Sequence, residues 1–340
     1  MPKIAYETWK PTAESWRLID IAERICEDYA AQGYDLTLRQ LYYRFVAAGE
    51  IPNNQRSYKN LGAVVNKARL AGLIDWNHIV DRTRNLRSLS HWSNPNDIIR
   101  SAAHSFAVDK WADQDVRVEV WVEKEALAGV VQRVADRHDC AWFSCRGYVS
   151  QSELWGAARR HLNYIANGQR VVVVHLGDHD PSGIDMTRDI TDRLHAFVDR
   201  DWVNDHGDDI PVNDMQGTIA VRDIRDHMRE RLDTDHQPIT VNRIALNMAQ
   251  IEQYNPPPNP AKLTDSRAKE YLERFGDESW ELDALDPSVL DALIDAAITD
   301  LVDPDRFHVQ QIDEEDQRQV LLDASRRWTE VRDFLAGGAA

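Results

Sequence analysis

Asp178 and Asp180 stand two residues apart in the stretch RVVVVHLGDHDPSGID, with no lysine or arginine immediately beside them. In extended backbone, residues i and i+2 point the same way, so both carboxylates face one spot. Two aligned carboxylates with nothing nearby to neutralise them suit a hard divalent cation such as Mg²⁺. A third acid, Glu123, follows the alternating valines of VRVEVWVEKEAL, where Glu119 and Trp121 take the opposite face. An acidic trio gathered by two strand ends would repel itself unless a cation kept it ionised. The alternative for Asp-x-Asp-Pro-x-Gly is a solvated, helix-capping turn, because Asp and Pro are common turn formers. Strand alternation turns His179 away from the metal face, and neither it nor His175 is counted as a ligand.

A second constellation is Thr37-Leu38-Arg39-Gln40-Leu41-Tyr42-Tyr43. Arg39 and Tyr43 are one helical turn apart on one face. A phenol, with its usual pKa of about 10, attacks poorly at neutral pH and needs positive charge beside it. The alternative is a pair of half-buried tyrosines with their hydroxyls at the surface. Lys59, Asn60, Asn66, Lys67 and Arg69, followed by Arg82, Arg84 and Arg87, are candidate phosphate and base contacts or simply a solvated face. Arg146, before Gly147 and Tyr148, is a further candidate phosphate ligand at a strand end. Lys124, beside Glu123, could play the same part or be a surface lysine.

The elements that must position these residues are legible in outline. Thr12 opens a helix ending at Gly33, Thr37 caps a second ending at Gly49, and Ser57 opens a third ending at Gly72. The runs GLIDW and HIVDRTR, separated by Asn77, read as a β-wing. Helix, turn, helix and wing predict a winged-helix module whose third helix enters the DNA major groove. Residues 88–112 form a connector with one helix from Asn96 to Ala107. Strands at 116–122, 141–145 and 171–176 then alternate with helices at 125–138, 151–166 and 184–198, the pattern of a parallel α/β sheet. Strand, acidic turn, helix is where such sheets bind ligands. Beyond residue 200 the chain is acidic, with a helix in IRDHMRERL, the alternating stretch ITVNRIALN, and the proline-rich YNPPPNPAKLTDSR. Helices through Asp300 and from about Glu314 to Leu335 close it.

The strings VEKEAL, CRGYVSQSE and GDHDPSGID follow one another in an order that resembles the family of the topoisomerase VI A subunit and the meiotic double-strand-break protein. The likeness is strongest over residues 35–200, and size and C-terminal wording are most similar to the solo phage- or plasmid-type members. The resemblance implies an N-terminal winged-helix (CAP-like) domain, residues 1–110, carrying the tyrosine. It implies a Toprim-type, Rossmann-like α/β domain with C-terminal helices over 111–340. By the same resemblance Tyr43 attacks a DNA phosphate and stays on a 5′ end, with Arg39 and Glu123 assisting. Glu123, Asp178 and Asp180 would hold Mg²⁺. Double-stranded DNA as substrate, a homodimer in which each tyrosine serves its twin's metal site, and a separate ATPase subunit for any strand passage are also implied. No GxxxxGK[ST] loop occurs in the chain. Two other readings compete: a hydrolytic, metal-dependent endonuclease using water, and a non-catalytic DNA-binding module.

Composition narrows the class. The 340 residues are 43% hydrophobic and 29% charged, enough for about two domains. No apolar run reaches membrane-spanning length, and MPKIAYETWK lacks a signal-peptide core, so a cytoplasmic protein is expected. Cys26, Cys140 and Cys145 fit no disulfide or zinc framework. The net charge of −17 opposes indiscriminate DNA binding, but residues 1–110 carry +3 and the remainder −20. That asymmetry concentrates expected DNA contact near the N-terminus.

Overall fold

The computed structural model describes residues 3–80, 89–212, 218–261 and 267–337. It separates into two compact units, 1–84 with 118–300 and 85–117 with 301–340.

The first unit begins with α1 (Ala13–Ala31), α2 (Leu38–Ala47) and α3 (Gln55–Leu70). Thr12 and Thr37 cap their helices as the sequence predicts, and Thr37 and Gln40 complete a reciprocal capping box. Asn54, not Ser57, caps α3, its carboxamide oxygen accepting from the Ser57 backbone, so that helix starts three residues early. The three helices bury Ile19, Leu41, Tyr43, Phe45, Leu61 and Ile74 in one core. The expected β-wing is not formed by the described residues. Trp76–His78 is a 3₁₀ turn capped by Asp75, and Ile79 instead bridges Leu36. Residues 81–84 of the second wing run lie outside the described residues.

After α4 (Pro95–Ser105), which belongs to the second unit, come β1 (Val116–Val122), α5 (Ala128–Arg137), β2 (Ala141–Ser144), α6 (Gln151–Ala166), β3 (Arg170–Leu176) and α7 (Pro181–His206). The helix expected from Glu125 opens instead with a 3₁₀ turn, Glu125–Leu127. Next are α8 (Val221–Leu232), β4 (Ile239–Ala245), α9 (Met248–Tyr254), a short antiparallel pair β5 (Asn259–Pro260) and β6 (Glu278–Ser279) flanking α10 (Ala268–Phe275), and α11 (Pro287–Thr299).

The protein is mixed α/β, with a parallel four-stranded sheet in the order β2-β1-β3-β4. Every residue from Val171 to Leu176 is buried, as expected of a central parallel strand covered on both faces. On one face Trp121, Val171 and Val173 pack with Leu154, Ile190 and Leu194 from α6 and α7. From β1 the chain moves outward to β2, then returns to the other side of β1 as β3. The reversal opens a crevice at the carboxyl ends of β1 and β3, where sheets of this kind place ligands.

The second unit pairs α4 with α12 (Pro304–Arg326), followed by α13 (Trp328–Gly337). Trp111 is fully buried edge-on to Phe307. Glu314 accepts from the Val108 backbone and pairs with Lys110 and Arg318, while Gln114 makes two hydrogen bonds to the Asp303 backbone. No described helix is long and apolar enough to cross a membrane.

Candidate active site at the strand ends

Glu123 leaves β1 and Asp178 leaves β3 side by side. The Glu123 backbone N–H donates to Leu176 O at 2.8 Å, and its Oε2 accepts from Asp178 N, also at 2.8 Å. Asp180 is the N-cap of α7, its Oδ1 accepting from Gly183 N at 2.7 Å. The three carboxylates line one cleft of about 630 Å³. Asp180 is therefore the helix-capping turn residue of the alternative reading while still facing that cleft.

Two glycines make this approach possible. A Cβ on Gly183 would stand 2.2 Å from Asp178 O, and one on Gly177 3.0 Å from Glu123 Oε2. Beneath the turn lies the partly buried Arg243 of β4. Its guanidinium donates to the carbonyls of Gly177, Asp178 and Gly183 at 2.6–3.0 Å and to the Thr187 hydroxyl.

The expectation that the aspartates lack a nearby cation is overturned. Lys124, neither surface lysine nor free phosphate ligand, is partly buried with Nζ 2.9 Å from Asp178 Oδ2 and 2.8 Å from both Glu281 Oε2 and Asp283 Oδ1. Sequence distance hid the other cation, since Arg243 arrives from a strand more than sixty residues on. Glu281 and Asp283 were also missed as site residues. Their own i, i+2 spacing in SWELDAL repeats the Asp178/Asp180 pattern and was the available signal. Trp280 pairs with His179 through both backbone groups, and Leu282 N donates to Asp178 Oδ1 at 2.7 Å, which holds this segment over the strand ends.

The same segment reaches α2. Arg39 pairs with Glu281 and places Nε 3.0 Å from Asp283 Oδ2, with its guanidinium 5.8 Å from the Tyr43 ring centroid. Tyr43 is buried, and its hydroxyl accepts from Asn259 Nδ2 at 3.5 Å. It lines a second cleft of about 290 Å³, which shares Arg39, Asn259 and Glu281 with the first. The neighbouring Tyr42 is committed elsewhere, donating to Asn53 Oδ1.

Electrostatics follow from burial. Desolvation, then the charge of Asp178, pushes the Glu123 carboxyl above its usual range, and desolvation likewise raises Asp178 against the pull of Lys124. Burial and the charge of Glu281 push the Tyr43 phenol up to about 12, with Asn259 and Arg39 working the other way. Glu281 is held below the usual carboxylate range, Lys124 and Arg39 outweighing its desolvation.

Among the remaining sequence candidates, Lys59 and Lys67 are exposed on α3. Arg69 is taken up internally: it donates to Trp76 O and Ile79 O and stacks on the Trp76 ring, fastening the 3₁₀ turn to α3. Arg146 is exposed, pairs with Glu125 at 3.0 Å and lines the larger cleft. Arg82, Arg84 and Arg87 lie outside the described residues. No group of three or more His, Cys, Asp or Glu side chains is closed around a metal-sized point among the described residues. The sequence matches no protein-family model and no curated protein.

Proposed function

We propose that the chain is a DNA-cleaving enzyme of the winged-helix-plus-Toprim type, in which Tyr43 attacks a backbone phosphate and becomes linked to a 5′ end. The observation that carries this reading is the pair of adjoining clefts. One holds a tyrosine hydroxyl and the other three strand-end carboxylates, and Arg39 lines both.

The donor set suits Mg²⁺. Oxygen-only ligands from one or two carboxylates, completed by water, are its usual protein environment. Glu123 commits Oε2 and Asp180 commits Oδ1, which leaves one oxygen of each for an ion, while Asp178 lends its charge. Around the cleft five carboxylates (Glu123, Asp178, Asp180, Glu281, Asp283) meet three cations (Arg39, Lys124, Arg243), and Arg146 balances Glu125. The two excess negative charges equal one divalent ion. Bound there, Mg²⁺ would polarise the phosphate and stabilise the leaving oxygen.

Attack requires Tyr43 to lose its proton, and a phenol pushed up to about 12 resists that. Arg39 supplies the remedy once it turns from Glu281 and Asp283 to a phosphate, where it offsets charge on the phenolate and on the transition state. Lys59 and Lys67 hold the duplex backbone along α3, and Arg146 a phosphate at the cleft rim. The raised phenol favours one competing reading, hydrolysis by water with Tyr43 in a structural role.

Supercoiled plasmid incubated with the protein and Mg²⁺, then denatured, distinguishes them. Tyrosine attack gives DNA-linked protein that Tyr43→Phe abolishes together with cleavage; hydrolysis leaves nicking intact in the variant. Cytoplasmic location, a homodimer and a separate ATPase belong to the same proposal. Mixing Tyr43→Phe with Glu123→Gln chains tests the dimer: recovered cleavage means the tyrosine of one chain serves the carboxylates of another.

A further inference from the structure

The Lys124 ammonium is enclosed by three carboxylate oxygens from two segments: Asp178 after β3, and Glu281 and Asp283 on the segment that crosses the strand ends. Asp283 is fully buried and Lys124 partly so. Three anionic oxygens converging at 2.8–2.9 Å on one positive point form a cation position, and here the cation is covalently part of the chain. Asp178 belongs to this position and to the neighbouring one beside Glu123 and Asp180, so two cation positions share a carboxylate at the end of β3.

We propose that Lys124 is a resident cation filling the second of two adjacent cation positions, so that the site takes up a single divalent ion on the Glu123–Asp180 side. The inference rests on reading these carboxylates as a metal site. Two-metal phosphoryl-transfer sites place one ion on the attacking oxygen and one on the leaving oxygen. In this chain a fixed ammonium stands in one of those places. It needs no uptake from solution, and its charge is held permanently by Glu281 and Asp283. The same contacts account for the place of Glu281 and Asp283 beside Lys124. A buried ammonium without carboxylate partners would be severely destabilising, and so would a buried Asp283 without Lys124.

Lys124→Ala vacates the position and leaves its three carboxylates in place. Mn²⁺ titration of the full-length chain, read by the spin-resonance signal of free Mn²⁺, should give one ion bound to the parent protein and two to Lys124→Ala. Lys124→Arg, which keeps the charge, should still bind one. Thermal unfolding supplies a reading independent of activity: Lys124→Ala should melt lower than the parent without metal and recover more on adding Mn²⁺. If the bare variant does not fold, Lys124→Ala combined with Asp283→Asn removes one unbalanced charge and should still bind one ion more than the parent. One ion in both proteins, or two in the parent, overturns the inference and leaves the metal site standing. No ion in either overturns the metal reading itself and this inference with it. No ion in the parent but one in Lys124→Ala also overturns the inference, because the Glu123–Asp180 side then takes up none.

Discussion

Glu123 carries a carboxyl whose ionisation its surroundings oppose. Its carboxyl is raised to about 7 by burial and by Asp178. An acid whose folded pKa exceeds its unfolded one binds more protons folded, so stability falls as pH rises from the ordinary carboxylate range to about 7. The metal-free protein should therefore melt at a higher temperature near pH 5 than near pH 7.5, and Glu123→Gln should reduce that difference. A melting series across this range, with and without Mg²⁺, checks both. Added Mg²⁺ should stabilise most at the high-pH end, where it replaces the lost proton. Gly183 offers a steric counterpart: Gly183→Ala brings a Cβ onto Asp178 O, so the turn must shift and the variant should lose both melting temperature and metal binding.

Among the elements, β4 does most for the acidic turn. Arg243 ties carbonyls on both sides of Asp178 and Asp180, and Arg243→Met would leave several buried acceptors unpaired. A cost of about 3 kcal/mol is expected in denaturant unfolding, with Mg²⁺ affinity weakened because the turn loosens. Thr37→Ala, which removes a capping box at the start of α2, should cost about 1 kcal/mol. These two elements also mark where the sequence could be read and where it could not. Thr37, the alternating valines of β1 and the four-valine run of β3 signal their structures locally, through caps and periodicity, and the helix at 151–166 was placed to the residue. The described part of the wing runs differs from expectation because two short apolar runs look alike whether they pair with each other or, as Ile79 does, with a distant residue such as Leu36. Arg243, Glu281 and Asp283 were overlooked as site residues because their roles depend on tertiary neighbours. The Asp178–Lys124 ion pair likewise joins segments that only the sheet order brings together.

At the scale of the molecule, an acidic protein proposed to bind DNA must rely on local cations. Lys59→Ala and Lys67→Ala should weaken DNA binding evenly across sequences, each lowering the salt-dependence slope by about one. Affinity measured over a salt series tests this, and an unchanged slope would remove α3 from the interface. The second unit has its own consequence. Its two halves are separated along the chain by the 118–300 part of the first unit, and Val108 meets Glu314 206 positions later. A ribosome adding about 5–20 residues per second needs roughly 10–40 s to travel that distance. Throughout that interval α4 and Trp111 wait without their mates while 118–300 emerges. The nascent chain thus carries an open apolar face through most of its synthesis, and a chaperone that recognises such faces would find its longest opportunity there.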